Sequence, residues 1–129
     1  MPWAGQNYPG QKFIYNYVVD FLALAGNAST TKTVTILTYP FQWMLAIASS
    51  TGAFTFQIQD VGRQYYFQSA AVQSVNGWGT AQNPFPLLSP YIFDQNQQVT
   101  FTVTDTSGSS NDIHLTLNGF QIIQIPGQS

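Results

Sequence analysis

Gln98-Val99-Thr100-Phe101-Thr102-Val103-Thr104-Asp105-Thr106-Ser107-Gly108, followed by Ile113-His114-Leu115-Thr116-Leu117-Asn118-Gly119, alternates apolar and polar side chains almost without a break. A period of two places every apolar residue on one side of an extended chain, so the stretch predicts two β-strands with one buried face each. The polar turn between them predicts a hairpin. Its polar face is built from Thr, Gln and Asn in place of Lys and Glu.

The same grammar extends outward. Phe13, Tyr15, Tyr17, Val19 and Phe21 share one face of a strand from Lys12 to Leu24, with Ile14, Val18, Leu22 and Leu24 on the other, so this strand is expected to be partly covered on both sides. Gly26 to Thr31 turns the chain, Thr33 to Thr38 alternates again, and Pro40 ends that strand. Phe41, Trp43, Leu45 and Ile47 are expected to share a face. Gly52 marks a second hairpin into Phe54, Phe56 and Ile58. A short strand from Gln64 to Ser69 precedes an irregular stretch, Ala70 to Pro90, and loops of that length are usually functional or interfacial. Tyr91 to Phe93 leads into the opening stretch, and Phe120 to Ile125 completes the last strand. Eight strands and no convincing helix indicate an antiparallel sandwich or barrel. Residues 1–11, with Pro2, Trp3, Tyr8 and Pro9, are expected to form an extended N-terminal arm, and 12–129 a single domain.

Composition excludes several functions. A content of 44% hydrophobic residues provides a core, so the 6% of charged residues does not signal disorder. Lys12, Lys32 and Arg63 are the only cations, too few for a phosphate-binding footprint, and nucleic acid is not an expected partner. The apolar runs fall well short of the roughly 20 residues that span a bilayer, so no membrane partner is expected. Met1-Pro2-Trp3 is not expected to begin a signal peptide, and assembly inside a cell is the expectation. Without cysteine there is neither a disulfide nor a thiolate site.

Catalytic groups are sparse. His114 is the only histidine, and it falls on the polar side of its strand with Thr116 and Asn118, where a surface or subunit-interface role is expected. Asp105 and Asp112 bracket the turn Thr106 to Asn111. Paired carboxylates can serve a glycosidase, and with Asn111 and carbonyls they can hold Ca²⁺, but Asp in turns also hydrogen-bonds its own backbone, and that is the reading adopted. No metal or other cofactor is expected. Trp78, in Asn76-Gly77-Trp78-Gly79, is either buried or interfacial, or presents an indole face to a sugar. No serine elbow, phosphate loop, zinc motif or dinucleotide fingerprint is present.

The segment Pro86-Leu87-Leu88-Ser89-Pro90-Tyr91-Ile92-Phe93, then Asn96, Val99 to Asp105, Ser107-Gly108 and Ile113 to Phe120, resembles small jelly-roll proteins in the virions of tailed bacteriophages. The resemblance covers about the last 45 residues and carries no catalytic signature. It implies an eight-stranded jelly-roll sandwich without enzymatic activity, a capsid decoration or cement protein that bridges major capsid protein subunits. It further implies a homotrimer located on the capsid surface and assembled in the host cytoplasm. Partner contacts are expected from Trp3, Tyr8, Trp78, Pro84, Phe85 and Pro86, since aromatic side chains dominate interface energetics. The alternatives are a carbohydrate- or receptor-binding module of a fibre or tail tip, with Trp78 as the platform, and a tail or connector subunit.

Overall fold

A computed structural model describes residues 11–80 and 82–123. Its strands are β1 (Gln11–Leu24), β2 (Ser29–Thr35), β3 (Phe41–Ser50), β4 (Phe54–Asp60), β5 (Tyr65–Tyr66), β6 (Val72–Gln73), β7 (Phe85–Phe93), β8 (Gln98–Asp105) and β9 (Asn111–Ile123). One 3₁₀ turn, Ser74–Asn76, is the only helical element among the described residues, and no helix there is long and apolar enough to cross a membrane. The strands form two antiparallel sheets, ordered β1-β9-β3-β7 and β2-β8-β4-β5, with β6 also paired to β4. This is consistent with a β-sandwich. Among the described residues nine strands appear where eight were expected for the chain, and the region after β4 pairs with it twice, through β5 and then β6, in place of one strand over Gln64 to Ser69.

Alternation identifies the buried faces. Phe54, Phe56 and Ile58 of β4 and Val99, Phe101 and Val103 of β8 meet Ile113, Leu115 and Leu117 of β9 and Phe41, Trp43 and Phe93 of the other sheet in one core. Each such side chain withdrawn from water contributes roughly 1.5–3 kcal/mol.

Neither expected hairpin exists. β8 pairs with β2 and β4, β9 pairs with β1 and β3, and the two strands of the opening stretch therefore lie in opposite sheets. The turn at Gly52 likewise carries the chain from β3 in one sheet to β4 in the other. A strand with one buried face alternates identically whether its sequence neighbour pairs with it or faces it across the core, so periodicity does not separate the two cases. Three further boundaries differ. Leu45 and Ile47 do not continue the face of Phe41 and Trp43, because a bulge between Trp43 and Leu45 exchanges the faces and buries Ala46. The outer face of β1 is open, with Ile14, Val18 and Leu22 exposed. The stretch from Ala70 to Pro90 is shorter than expected, since β7 begins at Phe85; Pro86 and Pro90 are tolerated because β7 is an edge strand.

Two buried aspartates close the ends of this structure. Asp105 accepts hydrogen bonds from the backbone N–H groups of Asn27, Ser107 and Gly108, from the Ser107 hydroxyl at 2.6 Å and from Asn111 Nδ2 at 2.9 Å. Asn111, fully buried, also donates to the carbonyls of Gly52 and Ala53 and accepts from Thr51 Oγ1 and the Gly52 N–H. The loops are packed so closely that a Cβ on Gly26 would lie 2.6 Å from the Gly108 carbonyl oxygen, and Gly108 itself adopts φ +79°. At the opposite end, Asp60 accepts from Tyr91 Oη at 2.6 Å, from the Gln97 side-chain amide, and from the backbone and guanidinium of Arg63. Arg63 continues to the Ile92 carbonyl and Asp94.

The Ser107 hydroxyl, followed by the Asn27 N–H, holds the Asp105 carboxyl well below the usual carboxylate range. A folded-state value below the unfolded one, near 3.9, gives stability that is fully present above the unfolded value and is lost as pH falls toward the folded one. Stability of the parent chain therefore drops steeply below about pH 4, and Asp105→Asn flattens that dependence in chemical denaturation at stepped pH. Asn111→Ala, which leaves several buried partners unsatisfied, is expected to cost on the order of 2–3 kcal/mol at neutral pH.

Candidate functional site

A groove of about 490 Å³ lies on the side of the molecule where β7 edges one sheet and β5 and β6 edge the other. Splitting that edge of the second sheet into two-residue strands leaves the aromatic core reachable there. Trp43, Phe67 and Tyr91 make its floor and wall: the Phe67 ring meets Trp43 edge-on at 5.6 Å and Tyr91 at 4.7 Å, and Tyr65 stacks on Tyr91 at 5.9 Å. Such offset and edge contacts fix ring orientations, so the wall is preformed. Burial, reinforced by donation to Asp60, raises the Tyr91 hydroxyl above its ordinary pKa and keeps it neutral across the physiological range.

The rim is built by β7. Trp43 pairs with Tyr91 and Leu45 with Pro86, so Leu87 to Pro90 stand opposite Met44 alone and bulge from the sheet. Leu88 at the crest is fully exposed, Phe85 at the base is 40% exposed, and Pro86 is also exposed. Pro84 is half-buried just before the strand. Trp78 lies inside: it is 6% exposed and packs edge-on against Phe56 at 5.5 Å. Of the alternatives for Trp78 the structure shows the buried one, and at this exposure the indole offers a partner or a sugar little of its face. Gly79 holds this loop to β3, its N–H donating to the Ala46 carbonyl at 3.1 Å and its carbonyl accepting from the Ala48 N–H at 2.9 Å. The Trp78 indole N–H has no acceptor, although Trp78 lines the groove. Trp3 and Tyr8 lie outside the described residues.

The other candidate residues do not converge. Asp112 accepts from the Ala23 N–H at 2.7 Å and faces away from the buried Asp105, which is already surrounded by protein donors. Asn111 turns its amide nitrogen, not its oxygen, toward Asp105, an orientation that does not suit a shared cation. No cluster of three or more His, Cys, Asp or Glu capable of holding a metal occurs among the described residues. His114 is exposed and meets Asp20 of β1 through Nδ1 at 2.8 Å. Sequence reasoning missed the Asp60–Tyr91–Gln97–Arg63 network beneath the groove. The signal was present, since Asp60 continues the inward phase of Phe54, Phe56 and Ile58.

No family model matches the chain, and no curated protein matches it significantly.

Core and rim differ measurably. Trp78→Ala is expected to lower unfolding free energy by about 3–5 kcal/mol, whereas Leu88→Ser changes it by less than about 0.5 kcal/mol, both read from urea denaturation.

Proposed function

We propose that this protein is a non-enzymatic virion structural protein, a capsid decoration or cement protein that docks on the major capsid protein through the β7 bulge. The observation that carries the reading is an exposed apolar crest, Phe85, Pro86 and Leu88, on an edge strand whose prolines prevent sheet extension. Prolines at such an edge remove ladder donors, so what β7 presents to a partner is side chains in place of backbone. Exposed aromatic and large apolar groups flanked by neutral residues suit a protein contact whose strength varies little with salt. Binding the assembled lattice in preference to free subunits stabilises the lattice by mass action.

We also read the sandwich as a jelly roll. Support comes from the strand orders β1-β9-β3-β7 and β2-β8-β4-β5, in which the chain alternates between sheets at most connections, and from β5 and β6 occupying one edge position together, which leaves eight positions. That agrees with the resemblance of residues 86–120 to phage virion proteins, although fold alone does not fix function.

One observation favours a second reading, a carbohydrate-binding module at a fibre or tail tip: an aromatic groove with a buried indole N–H that lacks an acceptor. In that case Tyr65 and Tyr91, not Trp78, form the stacking surface.

Particles assembled with the protein and its variants separate the two. Leu88→Asp is expected to reduce co-sedimentation with capsids at least tenfold while the unfolding midpoint is unchanged; unaltered occupancy would refute the β7 contact. Tyr65→Ala is expected to leave capsid occupancy intact. Loss of a glycan-array signal in Tyr65→Ala, with Leu88→Asp silent, would establish the second reading instead.

A further inference from the structure

Among the described residues four edges bound the two sheets, and three of them carry features that discourage strand addition. β7 has Pro86 and Pro90, the β5/β6 edge is broken into two-residue pieces, and β2 is short and carries Lys32. β1 is different: it is the longest strand among the described residues, it lacks proline, and it pairs with β9 without a register shift up to Phe21. The direction of its free groups follows from two hydrogen bonds. Ile122 of β9 donates its N–H to the Pro40 carbonyl on the β3 side, so the even-numbered residues of β9 face β3 and the odd-numbered ones bond to β1. Their partners on β1 are odd-numbered, which leaves the N–H and C=O groups of Ile14, Asn16 and Val18, with those of Lys12 and Asp20, directed away from the sheet. The second bond agrees, since Lys32 reaches the Asp20 carbonyl from that open side.

We infer that β1 pairs antiparallel with β1 of a second copy about a twofold axis at Asn16, joining the two β1-β9-β3-β7 sheets into one. The run from Lys12 to Asp20 is self-complementary about that centre. On the outer face Lys12 lies opposite Asp20 of the other copy, Ile14 opposite Val18, and Asn16 opposite Asn16. All of these are residues whose N–H and C=O point outward, so each pair exchanges both ladder hydrogen bonds. On the inner face Phe13 meets Val19 and Tyr15 meets Tyr17, which covers the exposed Phe13 and Tyr15 rings. Moving the centre to Val18 drives the pairing into the bulge after Phe21, and moving it to Ile14 leaves Asp20 without its cation. The Lys32 bond to Asp20 is replaced by a ladder bond, and Asp20, still held by His114, receives the Lys12 ammonium of the other copy. A twofold interface of this kind gives a dimer, not the trimer that the phage resemblance implies. It stands on the edge geometry alone and does not depend on the capsid reading.

The test is sedimentation of the full chain from 1 to 200 µM, combined with amide hydrogen exchange at both limits. The expected result is a monomer–dimer equilibrium in which the Ile14, Asn16 and Val18 amides exchange freely at the low limit and gain at least tenfold protection at the high one. Asn16→Pro, which removes a donor that the monomer does not use, abolishes the dimer with an unchanged β-sheet circular dichroism spectrum. Lys12→Asp weakens association at least fivefold, and the exchanged pair Lys12→Asp with Asp20→Lys restores it. A monomer throughout, a trimer, or a dimer with those three amides unprotected would overturn the proposal. Protection that appears only when capsid protein is added would overturn it as well, assigning the edge to a foreign strand.

Discussion

Three connections that carry the chain from one sheet to the other meet at the buried carboxylate of Asp105. The β1–β2 loop reaches it through the Asn27 N–H, the β8–β9 loop through Ser107 and Gly108, and the β3–β4 loop through Asn111. A fold whose consecutive strands lie in opposite sheets has few local hairpins to hold its register, so the ends must be fixed by long-range contacts. A buried anion that accepts from several loops does this because each donor would otherwise be stranded without water. Asp60 performs the same task at the other end, where Gln97 binds Asp60 through its amide and receives the Ile36 N–H at its carbonyl, tying the β2–β3 and β7–β8 connections together. The chain has only eight charged residues, and two of its five aspartates are committed to the interior.

This constraint positions the groove. Asp60 holds the Tyr91 hydroxyl, Tyr91 supports Tyr65 and Phe67, and Phe67 packs on Trp43. The bulge of β7 rises beside that stack, so its exposed crest rests on a rigid base. An interface built from few side chains benefits from such support, because less conformational freedom is lost when a partner docks.

Alternation in β4, β8 and β9 was enough to recover the strands, their buried faces and the all-β class. It did not recover which strands pair, because Val99, Phe101 and Val103 point into the core in the same way whether β9 lies beside β8 or across from it. The bulge at Met44 was equally silent, since Phe41, Trp43, Leu45 and Ile47 read as one face on apolarity alone. The Asp105 end was partly legible: a turn role was expected for its carboxylate, whereas the convergence of three loops depends on contacts about 80 residues apart in sequence. Asp60 and Asp105 each continue the inward register of their strands, and Asn111 begins that of β9. A polar residue in inward phase at a strand end marks a buried knot. Trp78 shows the opposite limit, since glycines on both sides permit a loop that displays an indole or one that buries it, and only packing against Phe56 decides.

Location on the particle is the most direct test of the proposed role. Cryo-electron microscopy of virions containing the protein should show density over junctions between capsid subunits, with the Phe85–Leu88 crest turned toward the shell. Density confined to the tail or fibre tip, or density on the shell with that crest facing solvent, would contradict the account.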